Sequence, residues 1–201
     1  MSDALRIGVF GGTFDPIHNA HCELARTALR AARLDKVLFV VSARPPHKGG
    51  ETHADAEDRY ALVCAAITDI PGAEASRLEM ERKGPSYTVD TLRAVAKAYP
   101  GADLFLIVGY DALLDLPKWY DAAGILRQAR VLAARRPGPM QDPPPMLEGR
   151  YELLPFQETG VSSTELRQRI RNGAPLEGWV PPAVARLIAE KEMYRDLQPL
   201  T

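Results

Sequence analysis

Apolar and polar positions divide the chain into short apolar runs separated by amphipathic stretches. Arg6–Phe10, Lys36–Ser42 (KVLFVVS) and Asp103–Gly109 (DLFLIVG) have strand length and little polar interruption. Such runs suit a sheet covered on both faces, where neither side of the pleat meets water. After the turn-rich segment Gly11 to Pro16, the recurrence of Leu24, Ala25, Ala28, Leu29 and Ala32 predicts a long helix. Further helices are predicted around Asp55–Thr68 and Thr88–Tyr99, with a weaker strand near Ser76–Met80. Another strand, Arg130–Ala134, follows an irregular helical stretch. Alternating strands and helices imply an α/β fold with a mainly parallel sheet.

Pro137, Pro139, Pro143, Pro144 and Pro145 mark a long loop that can extend neither element beside it. Ser162 and Glu165 form a capping-box pattern that starts a helix at Ser163, and Asn172-Gly173 stops it. Pro181-Pro182 opens a final helix through about Met193. The expectation is one domain over residues 1–201, with 162–201 as its C-terminal helical portion.

Composition narrows the class without naming a function. Hydrophobic residues make up 46% and charged residues 25%, as in core-forming globular chains. No stretch is long and apolar enough to span a bilayer. The first residues, MSDALRIGVF, carry neither a basic region nor a cleavage site, so a cytoplasmic location is expected. Cys22 and Cys64 both fall in predicted helices and read as small buried residues in a reducing compartment. The net charge of −1 announces no nucleic-acid partner. Positive potential for a phosphorylated ligand would have to be local.

Two segments have the chemistry to supply it. In an open parallel sheet, ligands gather beyond the carboxyl ends of the strands. Gly11 and Gly12 would let the backbone approach a phosphate there, and the next helix would present its positive amino terminus. His18 and His21, three apart, share a helical face at that terminus. A zinc site built on the two histidines finds no obvious third ligand, and neither G-x-G-x-x-G nor a P-loop is present. At the second segment, Ser162, Ser163 and Thr164 cluster hydroxyls at a helix start, with Arg167 one turn along. Hydroxyls, N–H groups and a guanidinium together can hold a triphosphate.

Gly11-Gly12-Thr13-Phe14-Asp15-Pro16-Ile17-His18-Asn19-Ala20-His21 resembles the nucleotidyltransferase signature GGTFDPIHNGH of the HxGH-type superfamily, departing only at Ala20. Val161 to Arg167 (VSSTELR) is similar to that superfamily's ISSTxxR segment. Ser86 to Leu92 (SYTVDTL) and Leu116-Pro117-Lys118-Trp119 resemble segments of bacterial nicotinate mononucleotide adenylyltransferases, as do Pro45-Pro46-His47-Lys48 and Arg136-Pro137-Gly138. Gly109-Tyr110-Asp111 stands where those enzymes have Gly-Ala-Asp, so Tyr110 either alters the adenosine pocket or points into the core. Val180 to Val184 matches as well, carrying the resemblance from Arg6 to about Tyr194.

The resemblance implies a Rossmann-like open sheet and adenylyl transfer from ATP to nicotinate mononucleotide in NAD biosynthesis, with Mg2+ arriving on ATP. It places His18, His21, Lys48 and Arg167 at the reacting phosphates. Gly11, Gly12, Thr13, Phe14, Gly109, Asp111, Ser162, Ser163 and Thr164 would bind ATP. Thr88, Trp119 and Arg136 would bind the mononucleotide, with Arg135 an alternative to Arg136. The acceptor phosphate is already anionic, so the protein needs alignment and charge stabilisation rather than a nucleophile of its own. ATP and nicotinate mononucleotide are the expected partners, with neither nucleic acid nor membrane, and a homo-oligomer is compatible. Rival readings are adenylylation of phosphopantetheine, where threonine usually replaces His18, and a nucleotide-binding regulator without turnover. Selectivity between the acid and amide mononucleotides is left open.

Overall fold

In the computed structural model, residues 4–43, 52–135, 141–157 and 160–195 are described. They form a six-stranded sheet in which every pairing is parallel. The strands are β1 (Arg6–Gly12), β2 (Lys36–Val41), β3 (Ala73–Ser76), β4 (Asp103–Gly109), β5 (Ala129–Arg135) and β6 (Tyr151–Gln157). The helices are α1 (Asn19–Ala31), α2 (Ala56–Ile67), α3 (Thr88–Ala98), α4 (Tyr110–Asp115), α5 (Ala122–Gln128), α6 (Ser163–Arg171) and α7 (Pro182–Glu190).

The sheet order β3-β2-β1-β4-β5-β6 reverses direction between β1 and β4. At such a switch point the connections leave toward opposite faces and open a crevice beyond the strand ends. Side-chain alternation accounts for the two covered faces. Leu104, Leu106 and Val108 of β4 join Ile7 and Val9 of β1 in a core with α3, α4 and α5. Phe105 and Ile107, between them in sequence, join Phe10, Phe39 and residues of α1, α2, α6 and α7 on the other face. Both faces are therefore buried, which explains the unbroken apolar runs.

Three expectations are corrected. The strand expected near Ser76–Met80 lies earlier, at β3, pairing with Val37–Val40 of β2. Its AEAS sequence is half-buried at the sheet edge and carries no apolar run to reveal it. Cys64 is exposed, whereas Cys22 is buried as expected. The two cysteines occupy different faces of their helices relative to the core. The final helix also stops earlier than its apolar pattern suggests, at Glu190. β6 was not apparent in the sequence, because Pro155 interrupts it. Proline is tolerated on an edge strand, where β6 lies.

Candidate active site

His18 is the N-cap of α1, with extended backbone at φ −144°. Its own N–H donates to Nδ1 of His21 at 3.2 Å, and the two imidazoles stack with centroids 3.7 Å apart. Phe10 and Phe14 wall in His21 from behind, their ring centroids 5.9 and 5.1 Å from it. Burial lowers the pKa of His18 to about 4. His21 is pushed well below the usual imidazole value by burial first and then by His18. Desolvation disfavours the charged form, so both rings are neutral at pH 7 in the ligand-free protein. Nδ1 of His18 is buried without a hydrogen-bond partner among the described residues.

The turn before His18 is set by a non-glycine residue. Phe14 has φ +48°, while Gly11 and Gly12 are still within β1. A Cβ on Gly12 would meet the Phe14 ring at 2.9 Å, whereas one on Gly11 would meet nothing within 4 Å. Gly12 thus makes room for a neighbour, and Gly11 keeps a cavity wall open. The Phe14 side chain belongs to the core, leaving only its backbone for ligand contact.

Beneath this turn, Arg59 of α2 is fully buried. Its Nη1 donates to the carbonyls of Thr13 and Ser42, each at 2.7 Å, and its Nε to the Ala54 carbonyl at 3.1 Å. Asp15, only 2% exposed, accepts the backbone N–H groups of His53 and Ala54 at 2.8 and 3.1 Å. The Tyr194 hydroxyl donates to the same carboxylate at 3.0 Å. Neither Arg59 nor Tyr194 stood out in the sequence, since a helical arginine and a late tyrosine carry no local signal. Asp15 lay inside the recognised segment without an assigned role.

The second segment meets the first. Ser162 caps α6 by accepting the Glu165 N–H at 3.2 Å. Ser163 Oγ donates to the Pro16 carbonyl at 3.0 Å, and Arg167 Nη1 donates to the Asp15 carbonyl at 2.6 Å. A cavity of about 410 Å³ is lined by His18, His21, Gly109, Ser162 and Ser163. Arg167 and Thr164 instead line an adjoining hollow of about 230 Å³ with His53 and Arg171. The two helix starts therefore share a cleft, but the Arg167 guanidinium is engaged by the loop rather than pointing free into the larger cavity.

Across the end of β1 lies a cavity of about 460 Å³. Gly11, Gly12, Thr88, Trp119 and Tyr120 line it. Thr88 is the first residue of α3, and Trp119 closes the 3-10 turn Leu116–Lys118. Tyr87 and Tyr120 pack at 4.6 Å on its rim, and the buried carboxylate of Glu79 accepts from Thr91 at 2.6 Å on its wall. Glu79 is a further lining residue that its polar surroundings in the sequence concealed. Asp111 is exposed on α4, while Tyr110 is buried with its hydroxyl on the Gln141 carbonyl at 2.6 Å. The core alternative for Tyr110 is thus the observed one. Lys48, Arg136 and the segments around them lie outside the described residues; Arg135 ends β5, exposed.

The cytidylyltransferase-like family model matches residues 9–169. A probable nicotinate-nucleotide adenylyltransferase of Thermus thermophilus is 44% identical, covering 95% of this chain and all of that protein. The nicotinate-nucleotide adenylyltransferase of Bacillus subtilis is 37% identical, covering 95% and 99%. Among solved structures, the nicotinic acid mononucleotide adenylyltransferase of Plasmodium falciparum, complexed with NaAD, superposes with a TM-score of 0.77. That alignment spans 94% of this chain and 97% of the other at 17% identity, so it bears on the fold.

Proposed function

The chain belongs to the cytidylyltransferase-like family, and on that premise we propose that it joins ATP to nicotinate mononucleotide, forming nicotinate adenine dinucleotide and pyrophosphate. It is an enzyme of the nucleotidyltransferase class. The observation that carries the reading is the pair of cavities either side of the β1 end, one with the stacked histidines and the α6 start, the other with Thr88 and Trp119.

In this reading the acceptor phosphate oxygen attacks the α-phosphorus of ATP, the bond to the β-phosphate bridging oxygen breaks, and pyrophosphate departs. Mg2+ enters as part of the nucleotide substrate, held on its phosphates. Among the described residues no group of three His, Cys, Asp or Glu side chains converges to hold a metal. His18 and His21 donate hydrogen bonds to the phosphates as neutral rings, and the arriving negative charge favours their protonation. Ser162 and Thr164 offer hydroxyls to the triphosphate, and Ser163, whose hydroxyl is on the Pro16 carbonyl, offers its backbone N–H at the α6 amino terminus. Arg167, held at the Asp15 carbonyl, stabilises the leaving charge, and Lys48 adds a second cation. Gly109 and Asp111 receive the adenosine end, with Thr13 and Phe14 contributing backbone, and Gly11 and Gly12 keep the β1 end open toward the other cavity. Trp119 stacks on the pyridinium, an attraction of about 1 kcal/mol beyond burial. Thr88 places the nicotinate carboxylate at the α3 start, and Arg136 holds the mononucleotide phosphate.

The test is pyrophosphate release from MgATP with nicotinate mononucleotide, nicotinamide mononucleotide and phosphopantetheine in parallel. Release with nicotinate mononucleotide, and much less with the others, is expected. Faster release with phosphopantetheine, or none with any acceptor, overturns the proposal.

A further inference from the structure

Three segments that are distant in sequence converge on one buried residue outside the two cavities. The Asp15 carboxylate accepts from the backbone of His53 and Ala54 and from the Tyr194 hydroxyl, while its carbonyl accepts from Arg167. Three donors occupy the carboxylate, so its work is to hold rather than to take up a proton from substrate. The segments it joins are those that carry the proposed chemistry. Asp15 is three residues before His18, His53 lines the hollow that Thr164 and Arg167 also line, and Arg167 lies on α6.

The far end of the assembly is held against backbone preference. After α7 the chain turns through Glu192 at φ +53° and Tyr194 at φ +64°, both in the left-handed region unfavourable to residues with a Cβ. Strained backbone persists where surrounding contacts over-determine it. Here the Tyr194 ring is buried in the core with its hydroxyl on Asp15. Burial and then Asp15 raise the phenol pKa far above its usual value, keeping it the donor.

We propose that Asp15, anchored by Tyr194, is a positioning residue for adenylyl transfer: its buried carboxylate ties the histidine turn to the 53–54 turn, and its carbonyl holds Arg167, so that the three keep one mutual geometry. This rests on the reading of the site given above. Displacing catalytic groups by a fraction of their contact distance lowers the rate of the aligned reaction more than it weakens binding.

Tyr194→Phe keeps the ring and deletes one hydrogen bond. Asp15→Asn keeps the size but sets an amide NH2 against a backbone N–H. Both are assayed as full-length folded protein, well below their melting temperatures, with circular dichroism matching the parent. Tyr194→Phe is expected to lower kcat about fivefold, the equivalent of one hydrogen bond. Asp15→Asn is expected to lower it on the order of 100-fold. KM for each substrate should stay within about twofold of the parent, the split that distinguishes lost alignment from lost binding. Should Asp15→Asn fail to fold, Tyr194→Phe decides alone. A folded Tyr194→Phe with unchanged kcat, or with the whole loss in KM, overturns the positioning role. A parent protein that releases no pyrophosphate overturns the functional reading instead.

Discussion

At the scale of single residues, His18 couples the site to pH. Its folded pKa of about 4 lies below its ordinary value of 6.5. Between these values the unfolded chain binds a proton that the folded chain excludes. This contribution is therefore constant above 6.5 and destabilises the fold as the pH drops through that value toward 4. His18→Gln removes the titration, so its melting temperature should fall less than the parent's between about pH 7.5 and about pH 5. Equal falls would show that the ring is not held neutral by burial. The same residue carries a kinetic prediction. His18→Ala should lower kcat on the order of 100-fold at saturating ATP, as removal of a preorganised donor does. Near-normal turnover would remove it from the chemistry.

At the scale of elements, the site depends on how strand ends and helix starts are tied. Arg59 links the end of β1, the residue after β2 and the entry to α2 through three carbonyls. Arg59→Met leaves those acceptors unpaired in a closed space, and urea denaturation should report a loss of about 3 kcal/mol or more. A loss below about 1 kcal/mol would mean that water replaces the guanidinium. Ser162→Ala removes a single cap and should cost about 1 kcal/mol in the same measurement. The cap was legible in the sequence because Ser162 and Glu165 sit three apart and act locally. So were β1, β2 and β4, whose apolar runs reflect burial on both faces. The two histidines were expected to meet on one helical face, whereas His18 is the extended N-cap of α1 and stacks on His21 from there. Arg59, Tyr194 and Glu79 were not legible, because each acquires its role from partners far along the chain. β3 and β6 escaped for a related reason: at the sheet edges, half-exposed positions and Pro155 carry little apolar pattern.

At the scale of the whole molecule, the reversal of strand order between β1 and β4 divides the ligand space in two. Thr88 and Trp119 reach one cavity from the face of α3 to α5, and the stacked histidines reach the other from the face of α1 and α6. Trp119 and the α6 hydroxyls line separate cavities, so in the proposed function each contacts a different substrate away from the reacting phosphates. The proposed function then makes a partitioned prediction. Trp119→Ala should raise KM for nicotinate mononucleotide about tenfold, from lost stacking and burial, and leave KM for ATP within about twofold. Ser162→Ala should do the reverse, since its hydroxyl, free to donate, lines the cavity of the stacked histidines. Steady-state kinetics with each substrate varied against saturation of the other provide the measurement. If Trp119→Ala raised both constants alike, the two cavities would have to be one binding site, and the division imposed by the sheet would not order the substrates.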